Sequence, residues 1–160
     1  MKKILLTFGF LLIIIGGIVL TQNYLKEGGT LSFFKKTPIV TINNHSFKVI
    51  VAASEQERET GLSKTKSLSQ DQGMIFLFPK PDYYSFWMKN MKFPIDIIYI
   101  KSDTIVTIKD NVQPPKNDKE SPAIYTPTGP SNKVLEIQAG FSKKYNFKNG
   151  DKVQYENLSN

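Results

Sequence analysis

From Pro38 to Glu156 the chain alternates short apolar runs with turn residues, and this rhythm decides the fold class. Runs of period two, or continuous apolar runs too short for a helix, read as strands burying one face or both. Residues 38–43 and 46–53 flank Asn43-Asn44-His45, which predicts a hairpin. GMIFLF at 73–78 predicts a buried strand, because nearly every position is apolar. Residues 95–101 and 104–109 meet at Ser102-Asp103 as a second hairpin. KVLEIQ at 133–138 and the run at 152–156 complete the set, while 84–88 alternates less cleanly. Ser54 with Glu57 three residues on predicts a capped short helix that stops at Gly61. A further helical turn is expected within 141–147. The expected fold is mostly β (α+β): a compact antiparallel β-barrel-like domain with one or two short helices. A length of 160 residues permits one such domain and a tail.

The tail is of a different kind. Lys2 and Lys3 precede residues 4–20, ILLTFGFLLIIIGGIVL, in which no residue is charged. As a helix this run is about 26 Å long, against about 30 Å of hydrocarbon core. Thr21, Gln22, Asn23 and the interfacial Tyr24 complete the span. The competing reading, a cleaved signal peptide, has only Val19-Leu20-Thr21 to offer as a cleavage site, and it is a poor one. Residues 1–24 are therefore expected to be a retained transmembrane anchor, 25–36 a stalk, and 37–160 an extracytoplasmic domain. Lys2, Lys3 and the terminal amine lie directly at the membrane and favour an inside amino terminus. The expected location is the cell membrane, crossed once through residues 4–24, with the carboxy-terminal domain outside.

A net charge of +7 suggests nucleic acid until it is divided along the chain. Five lysines against Glu27 give +4 in the first 36 residues, leaving 16 basic and 13 acidic groups in the remainder. That near balance, with lysines spread along the chain, offers no stripe for tracking phosphates, so no nucleic-acid partner is expected. The absence of cysteine removes thiol nucleophiles, thiolate metal sites and disulfides. A single histidine, His45, offers no metal cluster, and its turn position reads as solvated rather than catalytic. No metal or cofactor is expected.

GLSKTKSL, DQGMIFLF, FWMKNMKFPIDIIYI, VLEIQAG and NGDKV stand in this order across Gly61 to Val153. The chain in this respect resembles the domain of unknown function 192 family, also called uncharacterised protein family 0127. The most specific part is Phe86-Trp87-Met88-Lys89-Asn90 followed by Pro94-Ile95-Asp96. Ser63 stands where the family tends to have methionine, and Thr65 where it tends to have arginine. Pro115 stands where a Pro-Cys pair is common, so no thiol role carries over. The resemblance implies a compact β-rich fold, often behind a signal or anchor, and no agreed reaction.

The chemistry must then be argued from residues. Asp96 in PIDIIYI and Glu136 in VLEIQ are acids within apolar strands, and burial of an unpaired carboxylate costs several kcal/mol. Three alternatives stand: general acid and base flanking a glycosidic bond, polar groups for a ligand, or structural partners of Arg58, Lys89 or backbone amides. Trp87, the only tryptophan, sits beside Lys89 and Asn90, an apolar platform with directional polar groups suited to a sugar ring or peptide. Core placement of Trp87 is the competing expectation, and Asn90 can equally serve a tight turn. Arg58, the only arginine, can pair locally with Glu55 or reach Asp96 or Glu136. Residues 111–132 hold five of the nine prolines and read as a functional flap or solvated loop. Trp87, Lys89, Asn90, Asp96, Glu136 and Arg58 form the expected ligand site. The expected function is a non-enzymatic binding or accessory module for a carbohydrate or an envelope protein, with a glycan hydrolase using Asp96 and Glu136 as the alternative.

Overall fold

A computed structural model describes residues 36–117 and 120–158. Strands β1 (Ile39–Ile42) and β2 (His45–Ala52) form the first hairpin. Its two turn residues, Asn43 and Asn44, hold φ of 46° and 66°, the left-handed pair that a two-residue hairpin needs. Helix α1 (Glu55–Thr60) follows at once. The Ser54 hydroxyl accepts from the Glu57 amide at 3.3 Å, and the Glu57 carboxylate accepts from the Ser54 amide at 2.8 Å. This reciprocal cap holds the Glu57 carboxyl below its usual range, chiefly through the bonds to Ser54.

The chain returns in β3 (Gln72–Asp82), parallel to β2, with Lys48 opposite Gln72 and Ala52 opposite Phe76. The sheet is therefore mixed, which corrects the expectation of a purely antiparallel barrel. A crossover through α1 and residues 61–71 brings the chain back in the same direction, as a hairpin cannot. Strands β5 (Ile95–Lys101), β6 (Thr104–Val112), β8 (Ser131–Gln138) and β9 (Val153–Glu156) pair antiparallel with their neighbours. The seven-stranded order is β6-β5-β8-β3-β2-β1-β9. Two very short strands, β4 (Phe86–Trp87) and β7 (Ile124–Tyr125), make a separate pair. Helix α2 (Phe141–Lys144) follows β8.

The main sheet curls into a half-barrel. Thr104, at the start of one edge strand, bridges Lys152, just ahead of the other. The Ile105 amide donates to the Asp151 carbonyl at 3.0 Å, and the Gly150 amide donates to the Ile105 carbonyl at 2.8 Å. One face of the sheet packs Val40, Phe47, Ile75, Ile98, Leu135 and Ile137 against Phe141 and Phe147. The other face packs Met74, Phe76, Ile97, Tyr99 and Val134 against Leu62, Leu68 and Met88. Residues 95–100 are buried on both faces, so their apolar run is continuous rather than alternating.

The strands β3 and β8 approach closely at Gly73. A Cβ there would lie 2.7 Å from the Glu136 carbonyl oxygen, which is backbone and cannot swing aside. Gly73→Ala should therefore destabilise the domain by about 1–3 kcal/mol, read as a lower urea midpoint. A midpoint equal to the parent's would contradict this contact.

His45 is half-buried rather than solvated, its ring stacked on Tyr145 with centroids 3.6 Å apart. The proline-rich segment is tied down at Tyr125, whose carbonyl accepts the Tyr99 hydroxyl at 2.7 Å, and at Thr128, whose amide donates to Thr107 Oγ1 at 2.8 Å. Among the described residues no helix is long and apolar enough to cross a membrane. The expected anchor, 1–24, and all but Lys36 of the expected stalk lie outside those residues.

Candidate functional site

The register of three central strands decides where the two acids point. Ile97 pairs with Glu136, and Asp96 pairs with Ile137. Paired residues share a face and successive residues alternate, so Asp96 and Glu136 project from opposite faces of the sheet. They cannot flank one glycosidic bond, which removes the pair from the hydrolase alternative. They cannot share one ligand site either.

Asp96 belongs to the frame. It is 0% exposed, and its Oδ1 accepts from the amides of Asn111 at 2.7 Å and Gly140 at 2.9 Å. Its Oδ2 accepts from the Ser142 amide at 2.8 Å. One carboxylate thus satisfies the leading amides of α2, which has no side-chain cap of its own, and pins β6 where the register shifts. Asn111, at the irregularity in β6, and Gly140, ahead of α2, hold φ of 50° and 85°, so both aim their amides from the left-handed region.

Glu136 faces the other way, into an open cleft of about 600 Å³. Met74 lies opposite it in β3, and Phe76 and Phe78 follow on the same face by alternation. Phe86 stands edge-on to Phe76 at 4.9 Å and to Tyr99 at 5.9 Å. Tyr84 stacks on Phe78 at 3.7 Å. Helix α1 supplies the remaining wall with Glu55, Arg58 and Glu59, and Ser63 and Lys89 complete the rim. Glu136 is 5% exposed, and among the described residues no donor or opposite charge meets its carboxyl. Burial pushes its pKa up to about 8, so the group is mainly protonated at neutral pH. Burial, with a smaller contribution from Glu136, also raises the neighbouring Tyr99 phenol.

Arg58 pairs with none of the acids expected for it. Its Nη1 donates to the carbonyls of Ala53 and of Leu77, the latter at 3.1 Å, and its guanidinium lies 5.2 Å from the Phe78 ring centre. Helix α1 buries no side chain of its own, and this arginine ties it to the backbone of β3. Trp87 is 56% exposed at the cleft mouth, which corrects the expectation of a core tryptophan. Alternation in β4 turns Phe86 inward instead. Lys89 Nζ lies 5.3 Å from the Trp87 ring centre. Asn90 takes φ of 61° in the turn after Met88 and lines a smaller neighbouring hollow with Pro115 and Pro122, not the main cleft. The structure thus gathers Glu136, Trp87, Lys89 and Arg58, and leaves out Asp96 and Asn90. The aromatic walls, Phe76, Phe78 and Tyr84, were not anticipated as site residues. Among the described residues no group of three or more acids and histidines could hold a metal ion.

The family model described as Uncharacterized ACR, DUF192, matches residues 38–155. The chain belongs to the DUF192 family. No curated protein shows a significant match to it. A solved structure of a protein of unknown function from Novosphingobium aromaticivorans DSM 12444 is 35% identical with a TM-score of 0.63. That alignment covers 74% of this chain and 83% of the other. A second, from Sinorhizobium meliloti 1021, provisionally named a transcription regulator, is 31% identical with a TM-score of 0.66, over 76% and 93% of the two chains.

Proposed function

We propose that the protein is a membrane-tethered, extracytoplasmic, non-enzymatic module that binds a glycan of the cell envelope in the cleft above Glu136. The observation that carries this is Glu136 itself: an acid 5% exposed, with no hydrogen-bond or ion-pair partner among the described residues, its carboxyl open only to an aromatic-walled cleft. A buried polar group without a partner costs stability, and such groups persist where a ligand supplies the partner. A volume of about 600 Å³ suits a small molecule or a few sugar rings. Trp87 at the mouth offers a flat apolar platform, and Ser63, Lys89, Glu55 and Glu59 offer polar contacts at the rim. Nucleic acid is not the ligand on this reading, because 16 basic and 13 acidic groups nearly balance beyond residue 36. The provisional name of the Sinorhizobium relative is therefore not carried over.

Two experiments test the two halves. The full chain in a nonionic polyoxyethylene detergent should capture a subset of oligosaccharides on a glycan array, and Trp87→Ala should weaken that capture at least tenfold. An array without captured glycans, or capture untouched by Trp87→Ala, would remove the site; retention of an envelope protein instead would replace the glycan with a protein partner. For the tether, residues 4–20 carry no charge and have no competent cleavage site. Protease added outside intact spheroplasts should digest the domain, and the chain should sediment with membranes. Recovery of a soluble mature chain beginning near Gln22 would overturn the tether.

A further inference from the structure

A neutral sugar hydroxyl would give Glu136 one hydrogen bond, but three features of the cleft ask for more. The first is the composition around the carboxyl: Met74, Ile97, Phe76 and Phe86 bring it no donor, so its carboxylate form needs a bound group that supplies both the hydrogen bond and the counter-charge. The second is the rim. Glu55 and Glu59 line it without an ion pair among the described residues. Of the two cations lining the cleft, Arg58 is committed to the Ala53 and Leu77 carbonyls. Lys89 alone remains to balance the two rim carboxylates, Glu55 and Glu59. The third is the rings, which already receive cations at the mouth: Arg58 over Phe78 at 5.2 Å and Lys89 over Trp87 at 5.3 Å.

Resting on the cleft as a glycan site, we infer that the sugar it takes carries a free amine, whose ammonium group seats against Glu136 within the aromatic walls. The ligand class is a hexosamine unit without its N-acetyl group. The proton balance is simple. An amine that enters as the free base takes the carboxyl proton of Glu136, and one that enters as ammonium displaces that proton to solvent. Both routes end in the same ammonium–carboxylate pair. The amide of an N-acetylated sugar can do neither, and it brings an acetyl group where the ammonium would sit.

Trp87 is the only tryptophan and stands at the cleft mouth, so its fluorescence reports occupancy directly. The probes are a tetramer of β-1,4-linked glucosamine and the N-acetylglucosamine tetramer of the same linkage, each titrated into the full chain in polyoxyethylene detergent. The expected result is a saturable Trp87 signal with the amine form at least tenfold tighter than with the acetylated form. Glu136→Gln should abolish that preference, and Glu136→Gln assayed by thermal unfolding shows whether the variant is folded. If it is not, the selectivity of the native chain alone decides. Equal affinity for the two tetramers, or preference for the acetylated one, overturns the amine while leaving the glycan site standing. A silent Trp87 with both tetramers overturns the amine too, and the array then decides separately whether another glycan occupies the cleft.

Discussion

Asp96→Ala should cost about 4 kcal/mol or more and leave the domain largely unfolded if its total stability is ordinary. The substitution strands the amides of Asn111, Gly140 and Ser142, each of which donates to this one carboxylate. A buried donor left without its partner costs about 1–3 kcal/mol, and bonds to charged acceptors stand at the upper end. Asp96→Asn should cost less, because one carbonyl oxygen still accepts while the amide nitrogen faces donors. Urea denaturation followed by circular dichroism ranks the three chains. An alanine variant within about 1 kcal/mol of the parent would contradict a framing role, since breaking a buried network of this kind costs several kcal/mol.

Glu136→Gln should act in the opposite direction and stabilise the domain. Glu136 titrates at about 8 in the folded chain against an ordinary 4.5. Between those values the unfolded chain holds fewer protons than the native one, so stability falls as pH rises through that window. The slope contributed by this one group is about 1.4 kcal/mol per pH unit. The parent should therefore lose several kcal/mol from pH 5 to pH 8, and Glu136→Gln should remove most of that loss. Denaturation midpoints at pH 5, 6.5 and 8 read both slopes. A parent slope unchanged in Glu136→Gln would show that the carboxyl is solvated or paired.

The two acids show how far a sequence can be read. Both stood out as carboxyls within apolar runs, and that signal is real, since both are buried. Which face each takes depends on strand register, and register is not encoded by a run that is apolar on both sides. Residues 95–100 are such a run, so the side that Asp96 faces could not be read from its neighbours. The hairpins were legible because Asn43-Asn44 and Ser102-Asp103 carry turn chemistry, with left-handed φ at both asparagines and at Ser102. Helix α1 was legible through Ser54 and Glu57. The parallel pairing of β2 and β3 was not, because nothing local distinguishes a crossover from a wide hairpin. The same holds for the aromatic walls: Phe76 and Phe78 read as core within GMIFLF, and only the curl of the sheet and the fastening of α1 by Arg58 open the space before them. The side that Trp87 takes was open for a related reason, since a two-residue strand gives alternation too little length to choose between core and cleft.

Asp96 and Glu136 thus divide the chemistry of the chain between them, one holding the frame and the other kept unpaired in a cleft at a cost to stability. That division is tested most directly by Glu136→Gln on the glycan array, beside its unfolding midpoint at pH 8. The predicted result is a more stable protein that captures the glycans of the parent at least tenfold more weakly, because the group that destabilises the empty cleft is the group proposed to hold the ligand. A variant that is more stable and binds as the parent does would contradict it.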